Sequence, residues 1–246
     1  MGEQGKDYSQ KKIENLSRIF ASAQKYLGPK LEEEQSGIPP RVLKEIIENG
    51  SFCEDEVCTE YYGGILASSR SGISRDDRAI VMLDIIKSLS TYQIRTHYVV
   101  YQILRTIFLD TSLNVCTDSS DFTIYIPVEI YEEAISLEEG EILSSIVTHS
   151  IVGLVNKGLL AQDYQFGSKE FLRSRYPKHK KIITSEGLIL TPTVIGAQLF
   201  IWANGFSNKT EDSFINGSLN IKPHKGVSIP SGTVPLKNSD HTNQEC

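Results

Sequence analysis

The sequence predicts a mainly α-helical protein. It divides into an N-terminal helical bundle over residues 1–110, a winged-helix-like α/β module with a β-hairpin wing over 111–205, and a disordered tail over 206–246. Three observations predict this organisation. Apolar residues recur at helical spacing between residues 12 and 109, punctuated by capping signals. From residue 141 the order becomes helix, strand, long turn, strand, helix, which is the ground plan of a winged helix. After residue 205 large apolar side chains become rare, so that stretch cannot repay the entropy of ordering.

Ile13, Leu16, Ile19, Phe20, Ala23 and Leu27 define the first helix, and Gly28-Pro29 ends it because proline has no amide to continue the ladder. Ile38-Pro39-Pro40 starts a second, with Val42, Leu43, Ile46 and Ile47 on its apolar face and Asn49-Gly50 as its stop. Ser51 and Glu54 have the spacing of a capping box for a third, which carries Val57, Tyr61, Tyr62, Ile65 and Leu66 inward. Gly63-Gly64 inside it costs ~1 kcal/mol per glycine relative to alanine, which points to a close approach or a break. Ser74, Asp76 and Asp77 suit the start of a fourth helix, with Ala79, Met82, Leu83, Ile86 and Leu89 inside. Ser90 and Gln93 repeat the capping box for a fifth, whose stripe is Ile94, Tyr98, Tyr101, Leu104 and Phe108.

Residues 110–121 read as a solvated loop, and Phe122 to Ile126 alternates like a short strand before Pro127. Helices are predicted over 128–137 and 141–157, then strands over Leu159–Tyr164 and Ile182–Leu190. Thr191-Pro192 reads as an N-cap followed by a first-turn proline, and the last helix runs to a stop at Asn204-Gly205.

The chain carries 25 Lys and Arg against 31 Asp and Glu, a net charge of -6, which argues against a protein that coats nucleic acid along its whole surface. The charge is unevenly spread. Residues 31–60 hold nine acids and two bases, whereas residues 169–181 carry a net +5. The cations there are Lys169, Arg173, Arg175, Lys178, Lys180 and Lys181, with Phe171, Tyr176 and His179 interleaved. On the predicted wing, such a cluster suits a nucleic acid or an acidic protein surface. His149 and Lys157 on the 141–157 helix are added to the contact set, although that helix otherwise exposes only Ser144, Ser145, Thr148 and Asn156.

No P-loop, dinucleotide-binding, zinc-protease, nucleophile-elbow or paired C-x-x-C motif is present, so no catalytic residue, metal ligand or cofactor is assigned. His149 and Ser150 are neighbours in sequence and diverge on a helix, so they do not form a base and its nucleophile. A weaker alternative is a metal-dependent nucleic-acid-processing enzyme with Asp118 or Asp121 at the metal. Cys53 and Cys58, five apart on one predicted helix, point apart, and with Cys116 and Cys246 they read as free thiols of a reducing compartment. Together with the lack of a bilayer-length apolar run, this predicts a cytoplasmic protein without a membrane partner.

The segments YLGPKLEE at 26–33, IPPRVLKEIIENGSFCEDEVCTEYYGGILASS at 38–69 and MLDIIKSLSTYQIRTHYVVYQIL at 82–104 resemble the bacterial abortive infection alpha (Abi-alpha) family. So do GLVNKGLL at 153–160 and LTPTVIGAQLFIWANG at 190–205. The chain departs from that pattern at Tyr61-Tyr62-Gly63-Gly64, where the family tends to carry Trp and Ala, and at Asn156-Lys157, where it tends to carry Arg. The resemblance implies a role in antiphage defence and supplies no catalytic residues. The combined expectation is a non-enzymatic defence protein that contacts nucleic acid, a phage or host protein, or a second copy of itself. A winged-helix transcriptional regulator is the alternative.

Overall fold

A computed structural model describes residues 2–28, 37–71, 73, 75–221, 223–224 and 232–236. The first elements are helices α1 (Gly2–Leu27), α2 (Pro40–Glu45), α3 (Glu56–Ser68), α4 (Ala79–Ile86) and α5 (Thr91–Phe108), with a π-turn over Ile46–Gly50 extending α2. Then come β1 (Ile124–Pro127), α6 (Val128–Ile135), α7 (Leu143–Asn156), β2 (Gln165–Gly167), α8 (Lys169–Arg175), β3 (Gly187–Leu190), α9 (Val194–Ala203) and β4 (Val234–Pro235). The protein is mainly helical, with one small antiparallel sheet in the order β2-β3-β1-β4. Among the described residues no helix is long and apolar enough to cross a membrane.

At α3, α5, α8 and α9 the helix start falls where a side-chain oxygen meets free amides. The box at Ser90 forms as predicted: Gln93 N donates to Ser90 Oγ at 3.3 Å and Ser90 N donates to Gln93 Oε1 at 2.9 Å. At α3 the cap is Asp55, whose Oδ1 accepts from Cys58 N at 3.0 Å, and not Ser51, whose hydroxyl is turned to the Glu48 carbonyl. The π-turn and the turn after it use the chain up to Phe52, so the helix starts later and takes the carboxylate, the better partner for the positive end of its dipole. This shift also changes the cysteines. Cys53 lies in the turn before α3 instead of on it, and Cys53 and Cys58 are bonded to each other, with Cα atoms 6.1 Å apart, contrary to the expectation of free thiols. Cys116 is free and exposed. Cys246, and the proposed cap Ser74, lie outside the described residues.

Helix α9 is capped by Thr193 and not by Thr191. Thr193 Oγ1 accepts from Gly196 N at 3.1 Å and donates to the Gly158 carbonyl at 2.6 Å. The predicted strand over 159–164 is reduced to a single bridge between Leu160 and Pro192, and the hairpin partner of β3 is β2, further on.

α5 is buried on nearly every side, by α3, α7, α9, α6 and the 3-10 turn Glu211–Ile215. One continuous core therefore joins residues from Ile19 to Leu219. α3 crosses α9 at Gly64, where a Cβ would lie 1.7 Å from the Ala203 carbonyl oxygen, so the glycine pair marks a close approach and not a break. The two central strands, β1 and β3, are buried on both faces. Ile124, Ile126, Leu188 and Leu190 face the main core, while Tyr125 and Ile189 face a second cluster with Leu172, Ile183 and Leu236. That period of two is the strand signature, used here on both sides.

Two expectations change in the second half. Residues 169–181 read in the sequence as the long basic turn of the wing hairpin; instead they contain α8 and the 3-10 turn Pro177–His179, because Leu172 and Ile183 cover the outer face of the sheet. Residues 206–221, 223 and 224, expected to lie in a disordered tail, are described, and this stretch packs against α5. Phe214, Ile215 and Leu219 are buried, and Arg105 donates to the carbonyls of Phe214, Asn216 and Leu219. Composition missed this because three apolar anchors and one buried arginine suffice to hold a polar stretch. Residues 225–231 and 237–246 of the same expected tail lie outside the described residues.

The α3–α9 crossing gives a direct test. Gly64→Ala forces a methyl into backbone and is expected to cost roughly 3 kcal/mol or more, as overpacked sites do. Gly37→Ala meets nothing within 4 Å and serves as the control. Thermal melts should show a clear drop for the first variant alone; equal melting temperatures would contradict the packing.

Candidate functional site

The six cations of residues 169–181 occupy one stretch of surface, fixed in place by the residues between them. Ser168 caps α8 by accepting from Phe171 N at 3.3 Å, and Arg173 and Arg175 sit in the last turn, where the helix dipole favours positive charge. Leu172 anchors the helix on the sheet. Arg175, Lys178, Lys180 and Lys181 are exposed, whereas Lys169 and Arg173 are half-buried and Arg173 Nε donates to the Ile183 carbonyl at 2.9 Å. Arg173 thus spends part of its guanidinium on structure. Arg175 lies over the Phe171 ring, 5.8 Å from its centroid, a cation–π contact that keeps its charge at the surface.

The other two candidates are on and just beyond α7, a different element from that carrying the cluster. Lys157 is exposed just past the C-terminus of α7. His149 is exposed too, but its Nε2 meets Ser90 Oγ at 2.8 Å, which ties α7 to the start of α5. The remaining exposed side chains of α7 include Ser144, Ser145, Thr148 and Asn156, so this helix presents hydroxyls and an amide with no arginine. Between α7 and the β2–α8 segment runs a groove of about 290 Å³ with a largely apolar lining.

Sequence reasoning did not find the pairing of Ser90 with His149. A serine bonded to an imidazole is the contact a nucleophile makes with its base. Here Ser90 Oγ also accepts the Gln93 amide as the N-cap of α5, so the hydroxyl is already used structurally. Next to it, a polar depression of about 300 Å³ contains Arg95, whose Nε pairs with Asp55 Oδ2 at 2.8 Å and whose Nη1 donates to the Ile135 carbonyl at 2.8 Å. Tyr92 donates to Glu141 on its rim. Among the described residues no three His, Cys, Asp or Glu side chains converge to hold a metal ion. Asp118, one of the carboxylates considered for that role, accepts the Asn114 amide at 2.8 Å and closes its own loop.

Two histidines are deeply buried. His97 Nε2 donates to the Gly196 carbonyl at 3.1 Å, so its Nδ1 accepts the Tyr61 hydroxyl at 2.7 Å. Burial lowers the His97 pKa to about 3 despite that carbonyl, and the same burial raises the Tyr61 phenol well above its usual value. His224 is held by its backbone amide, which donates to Tyr98 Oη at 2.7 Å, and its Nδ1 lies 3.9 Å from Glu60 Oε2. Burial lowers its pKa to about 4 against the pull of Glu60.

Comparison with protein-family models, with curated proteins and with solved structures finds no match to this chain.

Both buried histidines make stability depend on pH in one direction. Their folded pKa values lie below the ordinary 6.5, so the unfolded chain takes up protons first and stability falls as pH drops below about 6.5. The loss is at most about 1.4 kcal/mol per pH unit for each group. Urea midpoints measured at pH 7, 6 and 5 should decline, and His97→Gln should flatten the decline. An unchanged slope in that variant would exclude His97 as a titrating group.

Proposed function

We propose that this chain is a contact protein of bacterial antiphage defence, and that residues 91–203 form a winged-helix module. The observation that carries the module is the strand order. In chain order α5, β1, α6, α7, β2 and β3 follow one another, and in space the sheet runs β2-β3-β1 with every neighbour antiparallel. This order supports the winged-helix reading, in which α7 would take the place of the recognition helix and α8 would lie within the wing. The defence role rests on the resemblance of residues 26–205 to the Abi-alpha family.

The module works through its wing more than through α7. A recognition helix that reads bases presents Arg, Lys, Asn or Gln to the major groove, and α7 exposes mainly hydroxyls. The wing presents Arg175, Lys178, Lys180 and Lys181 from a segment anchored on the sheet, which suits an acidic partner surface or a phosphate backbone irrespective of sequence. The second reading, a DNA-binding regulator, draws on this same cluster.

Cells carrying the gene should plate at least some phages less efficiently than cells without it. The combined change of Arg175, Lys178, Lys180 and Lys181 to Ala should remove that protection while shifting the melting temperature by at most about 8 °C, since four exposed changes of up to about ±0.5 kcal/mol each sum to at most about 2 kcal/mol. Equal plaque counts across a broad panel would refute the defence role. For the regulator, duplex binding at low salt should lose up to about 3 to 4 from its log–log salt slope in the same variant. A slope that does not move would remove the wing from DNA contact.

A further inference from the structure

We propose that the groove between α7 and β2 binds an extended acidic peptide of a partner protein, added as a strand to the free edge of β2. This inference deepens the contact-protein reading and rests on it.

β2 is the terminal strand of the sheet. Its inner side is paired with β3, and among the described residues no strand pairs with its outer side. Such an edge is a template for another chain's main-chain donors and acceptors. Its three residues span roughly 10 Å, enough to register a short peptide. The groove beside it supplies the side-chain contacts. Val147, Ile151 and Val152 of α7 and Tyr164, Phe166 and Phe171 give it most of its apolar surface, with Thr148 and Gln165 as its polar lining. Phe171 is 39% exposed, a large apolar surface beside an open edge.

The charges fix the chemistry of the occupant. Arg175 stands over the Phe171 ring and so brings a cation to the edge of the groove, while Asp163 and Glu170 are its acidic neighbours in sequence. A strand laid on β2 alternates its side chains, one set toward the apolar lining and the other away from it, toward solvent and the α8 cations. The matching peptide therefore alternates apolar and acidic residues. Nucleic acid fits less well. The α7 wall offers three aliphatic side chains and the Thr148 hydroxyl, and no cation for a phosphate. The Phe171 ring is not a free stacking platform either: a Cβ on Gly167 would lie 2.9 Å from it, and Arg175 stands over it.

The test uses the full chain and fluorescein-labelled heptapeptides in which Glu or Asp alternates with Val, Ile, Leu or Phe, read by anisotropy. At least one member should bind. Its binding should weaken tenfold or more in Phe166→Glu and in Val152→Glu, with circular dichroism confirming that each variant is folded. N-methylation of alternate peptide amides, which alters no protein atom, should abolish binding, and Arg175→Ala should weaken it and reduce its salt dependence. Absence of binding by every peptide, or binding indifferent to N-methylation and to both groove variants, would overturn the proposal. So would an oligonucleotide, or a second copy of the chain in sedimentation, whose binding is lost in Phe166→Glu while the peptides do not bind. The contact-protein reading fails separately, by equal plaque counts with and without the gene.

Discussion

The structure depends on the burial of α5. A helix surrounded on nearly all sides cannot leave polar side chains to water, and α5 carries Thr96, His97, Tyr98, Tyr101 and Arg105 among its buried residues. Each must find a partner on a different neighbour, because an unpaired buried polar group costs on the order of 1–3 kcal/mol. Thr96 bonds Tyr131 of α6, His97 bonds Tyr61 of α3 and Gly196 of α9, and Tyr101 bonds the Leu159 carbonyl after α7. Tyr98 receives the amide of His224, and Arg105 holds three carbonyls of residues 214–219. These bonds select which faces of the surrounding elements turn inward, which apolar contact alone does not. They also explain why the two halves of the chain share a core: the central helix of the first half is satisfied mainly by the second.

This satisfaction reaches the surface through α9 and the sheet. His97 and Tyr101 fix the start of α9, where a Cβ on Gly196 would clash with the Tyr101 hydroxyl. β3 leads directly into that start, so its register on β1 is set from inside the core. With β3 fixed, Ile189 and Tyr125 present an apolar outer face, and Leu172 and Ile183 are drawn over it. The cations of residues 169–181 are thus held on a folded segment and not on a flexible loop. Charges presented by an ordered backbone lose less entropy on binding than those of a free wing.

Much of this was legible in the sequence where a signal is local. The Ser90–Gln93 box, the stop at Gly28 and the strand before Pro127 all depend on neighbours within a few residues, whereas Gly63-Gly64 signalled a close approach or a break without naming the distant Ala203 it meets. The misreadings came where two local signals competed. Ser51 and Asp55 both offer a cap, and the π-turn over 46–50 decides between them. Thr191 and Thr193 both offer a cap, and the bridge from Leu160 to Pro192 removes the first. For the candidate site, the cationic residues themselves were evident, but the groove was not. It is made by α7 meeting β2, and β2 lies beyond the predicted strand at 159–164, so its edge could not be placed from spacing. α8 left a trace that was passed over, Ser168 followed by Glu170 and Leu172 in a cap-and-anchor pattern.

The polar groups with the most chemical potential are used in holding this core together. His97 and Tyr61 hold each other in a site where both stay neutral, Ser90 caps a helix while meeting His149, and Arg95 joins Asp55 to the end of α6. What the surface offers a ligand is different in kind: fixed positive charge, a strand edge and a strip of apolar side chains lying side by side. Each is weak alone, since exposed charges are screened beyond about 8 Å at physiological salt and a three-residue edge gives few hydrogen bonds. Their adjacency is what makes them selective. The acidic strand proposed for this groove would be steered by the cations, aligned by the edge and retained by the apolar lining, and a ligand lacking one of the three matching features would forfeit that share of the binding.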